Sequence, residues 1–130
     1  MPAYRKVGDL APAASTGNNT HAQLEVPAEA DSLMIEVEVE VIGATPTLTF
    51  NVQGSMDDTD LAAASSDWFE VFGMPSAGAA EVDISGTVVA VGLSAFSLNL
   101  VSRPVKKLRL VTSANTNVTY SAELYAGSDV

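Results

Sequence analysis

Ser32-Leu33-Met34-Ile35-Glu36-Val37-Glu38-Val39-Glu40-Val41-Ile42 is the stretch that decides the fold. Leu33, Ile35, Val37, Val39 and Val41 recur at every second position, with Glu36, Glu38 and Glu40 between them. A period of two places the aliphatic side chains on one face and the carboxylates on the other, as in a strand with a core side and a wet side. Gly43-Ala44-Thr45-Pro46 follow as turn residues, and Thr47 to Gln53 alternates again with Leu48, Phe50 and Val52 inward. Together these predict an antiparallel hairpin.

Working outward, the pattern repeats. Thr20 to Val26 reads as a short strand stopped by Pro27, and Asp67 to Phe72 as another, closed by Gly73-Met74-Pro75. Glu81 to Ile84, Val88 to Val91, Ala95 to Val101, Val105 to Thr112 and Val118 to Leu124 complete the set, with Asn115-Thr116-Asn117 as a turn. The run Leu61 to Ala64 is at most one helical turn. Short strands at close spacing, separated by turn chemistry, predict an all-β fold. The expected architecture is about eight antiparallel strands in a two-sheet, jelly-roll-like sandwich. Pro2, Gly8, Pro12 and Gly17 interrupt the first twenty residues, so 1–20 reads as an extended N-terminal arm and 21–130 as a single domain.

The chain has 130 residues, 47% of them hydrophobic, enough for one core without staples. Cysteine is absent, which excludes disulfides, thiolate catalysis and Cys-based zinc sites. With the single histidine His21 there is no multi-His metal centre, and His21 reads as a surface residue. Gly54-Ser55-Met56 lacks the second glycine of a nucleophile elbow. No phosphate-binding glycine loop or dinucleotide fingerprint occurs. The expectation is a protein without enzymatic activity and without a cofactor. No apolar run approaches the roughly 20 residues that span a bilayer, and the basic N-terminus has no following signal-peptide core. Asn18-Asn19-Thr20 and Asn117-Val118-Thr119 read as chance triplets rather than glycosylation sites.

Charge is distributed unevenly. Sixteen acidic against six basic residues give −10, the wrong sign for a nucleic-acid binder. Residues 7–102 contain no Lys or Arg at all, and fourteen Asp and Glu. Arg5 and Lys6 lie at one end of the chain; Arg103, Lys106, Lys107 and Arg109 crowd into seven positions near the other. Such a chain is expected to show water an acidic body and to dock by a small basic footprint. Arg103, Lys107 and Arg109 share one strand parity and are candidate partner-binding residues, with Tyr4, Arg5 and Lys6 on the arm. They are also candidates to pair across a sheet or a subunit boundary with Glu36, Glu38 and Glu40. Trp68, Phe69 and Phe72 make one strand apolar on both faces, so Trp68 and Phe69 join the candidate partner surface. Asp57, Asp58 and Asp60, with Asp67 beyond, are a weak Ca²⁺ candidate, lacking the spacing of a helix–loop–helix calcium site.

Two stretches carry a resemblance. Thr47-Leu48-Thr49-Phe50-Asn51-Val52-Gln53-Gly54-Ser55-Met56-Asp57-Asp58 followed by Trp68, and Lys107 to Thr112 followed by Val118 to Leu124, resemble jelly-roll decoration (cement) proteins of tailed-phage capsids. The resemblance implies a structural protein on the outer capsid surface, made in the host cytoplasm and clamping neighbouring subunits of the major capsid protein. It implies a homo-oligomer, dimer or trimer, with neither nucleic acid nor membrane as partner. Residues 1–20 would then order on the shell, with the 103–109 stripe touching shell or sister subunit. Two alternatives stand beside it. One is a carbohydrate-binding sandwich module of a phage fibre or surface protein, using Trp68 and the acidic loop; the other is a head–tail or tail accessory subunit.

Overall fold

Two long strands organise the chain, and each passes through both layers of the molecule. A computed structural model describes residues 3–56, 67–76, 78–102 and 104–128. Asp57, Asp58 and Asp60, the expected helical turn at 61–64, and Arg103 lie outside the described residues. The strands are β1 (Ala3–Ser15), β2 (Leu24–Glu25), β3 (Ser32–Ser55), β4 (Phe69–Glu70), β5 (Phe72–Gly73), β6 (Val82–Asp83), β7 (Ser85–Val88), β8 (Gly92–Asn99) and β9 (Lys107–Ser128). All named pairings are antiparallel, and the described residues contain no α-helix. The fold is an all-β sandwich.

The expected hairpin at 32–53 is instead one continuous strand. β3 pairs with β9 from Ser32↔Gly127 to Ser55↔Lys107, so both halves run along the same partner. The expected closing hairpin at 105–124 is likewise one strand, β9. At Gly43–Pro46 the ribbon bends rather than reverses. Ile42 pairs with Val118 and Thr47 with Thr116, so four residues of β3 oppose one of β9. Bulges of this kind bend a strand and re-aim its side chains. Across the bend the buried apolar positions of β3 switch from odd (Ile35, Val37, Val39) to even (Leu48, Phe50, Val52), while those of β9 (Leu108, Leu110, Val118, Tyr120, Ala122, Leu124) stay even. Thr45, Ala114 and Asn117 adopt positive φ (45°, 50° and 55°) at this corner, where the local geometry is that of a turn.

The corner creates the two layers. In the first, β1, the second half of β9, the first half of β3 and β8 lie side by side. In the second, β2, the first half of β9 and the second half of β3 continue into β7 and β4. Phe50 of the second layer meets Phe96 of the first edge-on, ring centroids 6.3 Å apart. Between the layers Tyr120 is fully buried. Its hydroxyl bonds Thr112 Oγ1 (2.8 Å) and His21 Nε2 (2.7 Å) and accepts from Asn19 Nδ2 (3.2 Å). His21 is therefore half-buried rather than a surface residue, and burial lowers its pKa.

The N-terminal segment is an extended strand of the sandwich rather than a separate arm. β1 pairs with β9 from Ala3↔Ser128 to Ser15↔Tyr120, and it sends Leu10 and Ala11 into the core. The sandwich thus includes residues assigned above to the arm. The alternation that would have marked this strand is broken by register shifts between Lys6 and Gly8, Asp9 and Ala11, and Ala11 and Ser15.

Candidate interaction surface

The corner gives the sandwich two unlike ends. At the basal end lie the start of β1, the β2–β3 connection, the β4 segment and the entry to β9. At the corner end lie residues 14–19, 41–47, 89–93 and 113–118.

Most of the expected partner-binding residues collect at the basal end, but not as one basic stripe. Lys107 lies in register between Glu25 of β2 and Ser55 of β3 and is 1% exposed. This burial takes its side chain off the surface of the chain, contrary to the expected surface contact, at a place where β2 pairs along one edge of β9 and β3 along the other. Arg109, half-buried, stacks its guanidinium 4.1 Å from the centroid of Trp68 and donates from Nε to Gln53 Oε1 at 2.8 Å. Such a stack contributes about 0.5–1 kcal/mol at a partly exposed site. It also occupies a face of the indole that a sugar ring would need.

Arg5 and Lys6 sit on β1 in the other layer. Arg5 forms an ion pair with Glu29, and Lys6 bridges Asp9 (2.9 Å) and Glu123 (3.7 Å). The hydrogen bond to Asp9 raises the Lys6 pKa. Tyr4 accepts a hydrogen bond from Ser32 Oγ at 3.1 Å and packs over Gly127, where a Cβ would lie 2.8 Å from its ring. Within the chain, Lys107 and Arg109 do not lie across the ladder from Glu36, Glu38 and Glu40. The glutamates are on the first layer: Glu36 faces Glu123 across the ladder, Glu38 faces Leu93 and Ser121, and Glu40 accepts from the Ala14 N–H.

Phe69 and Phe72 are exposed, while Val71 between them is buried. They line a cleft of about 310 Å³ with Leu98, Pro104 and Val105. Gly54 permits this packing: a Cβ there would stand 2.6 Å from Val105 and 2.8 Å from Val71. Beside the cleft, Asn51 donates to Glu70 Oε1 at 3.0 Å, and Glu70 shares a hydrogen bond with the carboxyl of Asp83. Burial, and then this hydrogen bond, raise the Asp83 pKa above its ordinary 3.8. A raised carboxyl pKa means that the folded state holds the proton more tightly, so this contribution to stability is full at low pH. It is lost as pH rises through the folded value. Asp83→Asn is therefore expected to raise the melting temperature at pH 7 and to leave it unchanged near pH 3. Calorimetry at the two pH values checks this.

The corner end was not legible as a surface. Val41 was expected inward, and Val88 to Val91 were expected in a strand. Instead the 89–91 crossover between β7 and β8 runs beside the β3 corner, because Leu48 pairs with Val88 and Val39 with Gly92. Val41, Val89 and Val91 are each 60% exposed, Leu93 58% and Ile42 38%. Beside Val41 and Ile42 lies a groove of about 450 Å³, walled by Gly17, Asn115, Asn117 and Thr119. The available signal was a negative one: residues 41–56, 84–102 and 110–122 contain no charged residue.

Comparison with protein-family models and with curated protein sequences gives no match. Among solved structures the chain is similar to the SPBc2 prophage-derived protein YomS, with a TM-score of 0.66. The likeness covers 98% of this chain and 96% of that one at 7% sequence identity. At that identity the likeness is one of fold: this chain has the sandwich of a prophage-derived protein, end to end.

Proposed function

We propose that this chain is a phage virion structural protein that decorates the outside of the capsid, clamping neighbouring subunits of the major capsid protein by non-covalent contacts. The observation that carries the reading is the end-to-end fold likeness to a prophage-derived protein. The residue chemistry agrees. The chain has no cysteine, and its one histidine, His21, is tied to Tyr120 inside the sandwich. A net charge of −10 suits a protein of the outer surface that does not compete for packaged DNA. The exposed Phe69–Phe72 cleft supplies apolar area for contact with the shell.

In the carbohydrate-binding alternative a sugar ring would have only one face of Trp68, because Arg109 stacks on the other. The test is rebinding: virions of the source phage, stripped of this protein, are mixed with the purified chain and sedimented. Saturable co-sedimentation with heads is expected, and the chain remaining in the supernatant, or sedimenting only with isolated tails, contradicts the decoration role.

A further inference from the structure

The corner end carries the largest run of exposed aliphatic side chains among the described residues, and no Lys or Arg. Val41 and Ile42 come from β3, Val89 and Val91 from the crossover, and Leu93 from β8. The nearest acids are Glu38, the register partner of Leu93, and Glu40, whose carboxylate is engaged by the Ala14 N–H. Exposed apolar area of this extent, rimmed by polar side chains such as Asn115, Asn117 and Thr119, marks a contact surface.

A second observation lies at the same place. Ser97 exchanges backbone hydrogen bonds with Met74, N–H to O at 2.9 Å and O to N–H at 2.8 Å, on the outer edge of β8. Backbone groups alternate sides along a strand, so Ala95 and Leu93 point their N–H and C=O to that same edge. Among the described residues no strand pairs with them there. The edge carries no charge, proline or register shift from Gly92 to Ala95. The opposite edge, β1, has all three: Lys6 and Asp9, Pro12, and repeated register shifts. One edge of the layer is thus blunted against pairing and the other is open.

We propose that the corner end is the face through which two copies of this chain associate about a two-fold axis. The occupant follows from charge. An isologous contact sets each patch against itself, so like charges meet wherever the patch is charged. The outer face of the first layer would oppose Glu36, Glu38 and Glu123 to their own copies, and that of the second Glu70. On a body of charge −10, the corner end offers a self-contact with no acid at its centre. The exposed Val89 and Val91 flank the β3 corner on its β7–β8 side and the uncharged groove at Val41 and Ile42 lies on its β9 side, so a two-fold axis through the corner brings each knob to the partner's groove. The open edge at Leu93 and Ala95 adds backbone hydrogen bonds across the axis. The proposal does not depend on what the protein decorates.

Sedimentation equilibrium on the full chain tests it. The unaltered chain is expected to weigh as a dimer at concentrations up to ~100 µM, which saturates an interface of ordinary size. Val91→Lys and Val89→Lys, both on exposed positions, are expected to weaken the dimer at least tenfold with the melting temperature of the monomer unchanged. Phe69→Lys, at the basal end, is expected to leave the dimer intact. Added salt screens the repulsion of two acidic bodies, so it is expected to strengthen the association. A monomer throughout the range, any other stoichiometry, a dimer indifferent to charge at 89 and 91, or a dimer dissolved by salt overturns the proposal.

Discussion

A chain beginning at Gly17 is expected to lose its cooperative thermal transition. β1 is an edge strand of the first layer, and its removal withdraws Leu10 and Ala11 from the core. Losing a buried leucine side chain alone costs about 2–5 kcal/mol. The truncation also strips the ladder from the Tyr120–Ser128 half of β9, leaving the backbone groups that faced β1 without partners and a long bare edge. Set against a typical total of about 5–15 kcal/mol, the sum approaches or exceeds the whole stability. Circular dichroism with heating reads the result. A sharp transition within a few degrees of the full chain would show that the segment is an appendage after all.

Phe50→Ala is expected to be the most damaging single substitution among the core aromatics. Phe50 is 2% exposed, stacks edge-on with Phe96, and lies over Gly86, where a Cβ would stand 3.3 Å from its ring. It bridges the two layers just past the corner through an apolar ring contact, whereas Tyr120 beside it is also held by hydrogen bonds to Thr112 and His21. Truncating a buried Phe costs about 3–5 kcal/mol, and in a domain of this length that lowers the melting temperature by on the order of 10–20 °C. Phe50→Leu keeps most of the volume and is expected to recover more than half of the loss. Equal loss in the two variants would mean that ring geometry, not volume, holds the layers together.

These two positions also mark what could and could not be read from the chain. The inward face of Phe50 followed from alternation with Leu48 and Val52, because a half-buried strand writes its burial into a period of two. The same rule failed for β1, where bulges and Pro12 break the period although Leu10 and Ala11 are buried. It failed differently at Gly43–Pro46. Turn residues announce a change of direction, but whether the strand reverses or bends depends on its partner. That partner, β9, lies some seventy residues later in the chain. The consequence reached the surface. Reading the bend as a hairpin hid the corner end and left Val41 inward. For the basic stripe, strand parity placed Lys107 with Arg109 but could not anticipate β2, two residues long, pairing along the edge of β9 beside it. What survives from the charge reading is its asymmetry: the described Lys and Arg residues collect at the basal end, away from the corner. The structure sharpens this into a molecule whose described Lys and Arg residues sit at one end and whose exposed aliphatic side chains crowd the other.

Electron microscopy of intact virions of the source phage, labelled with gold-conjugated antibody against this chain, addresses the functional reading most directly. Label distributed over the outside of the heads is the expected result. Label confined to tails or fibres, or virions that carry none of this protein, would contradict it.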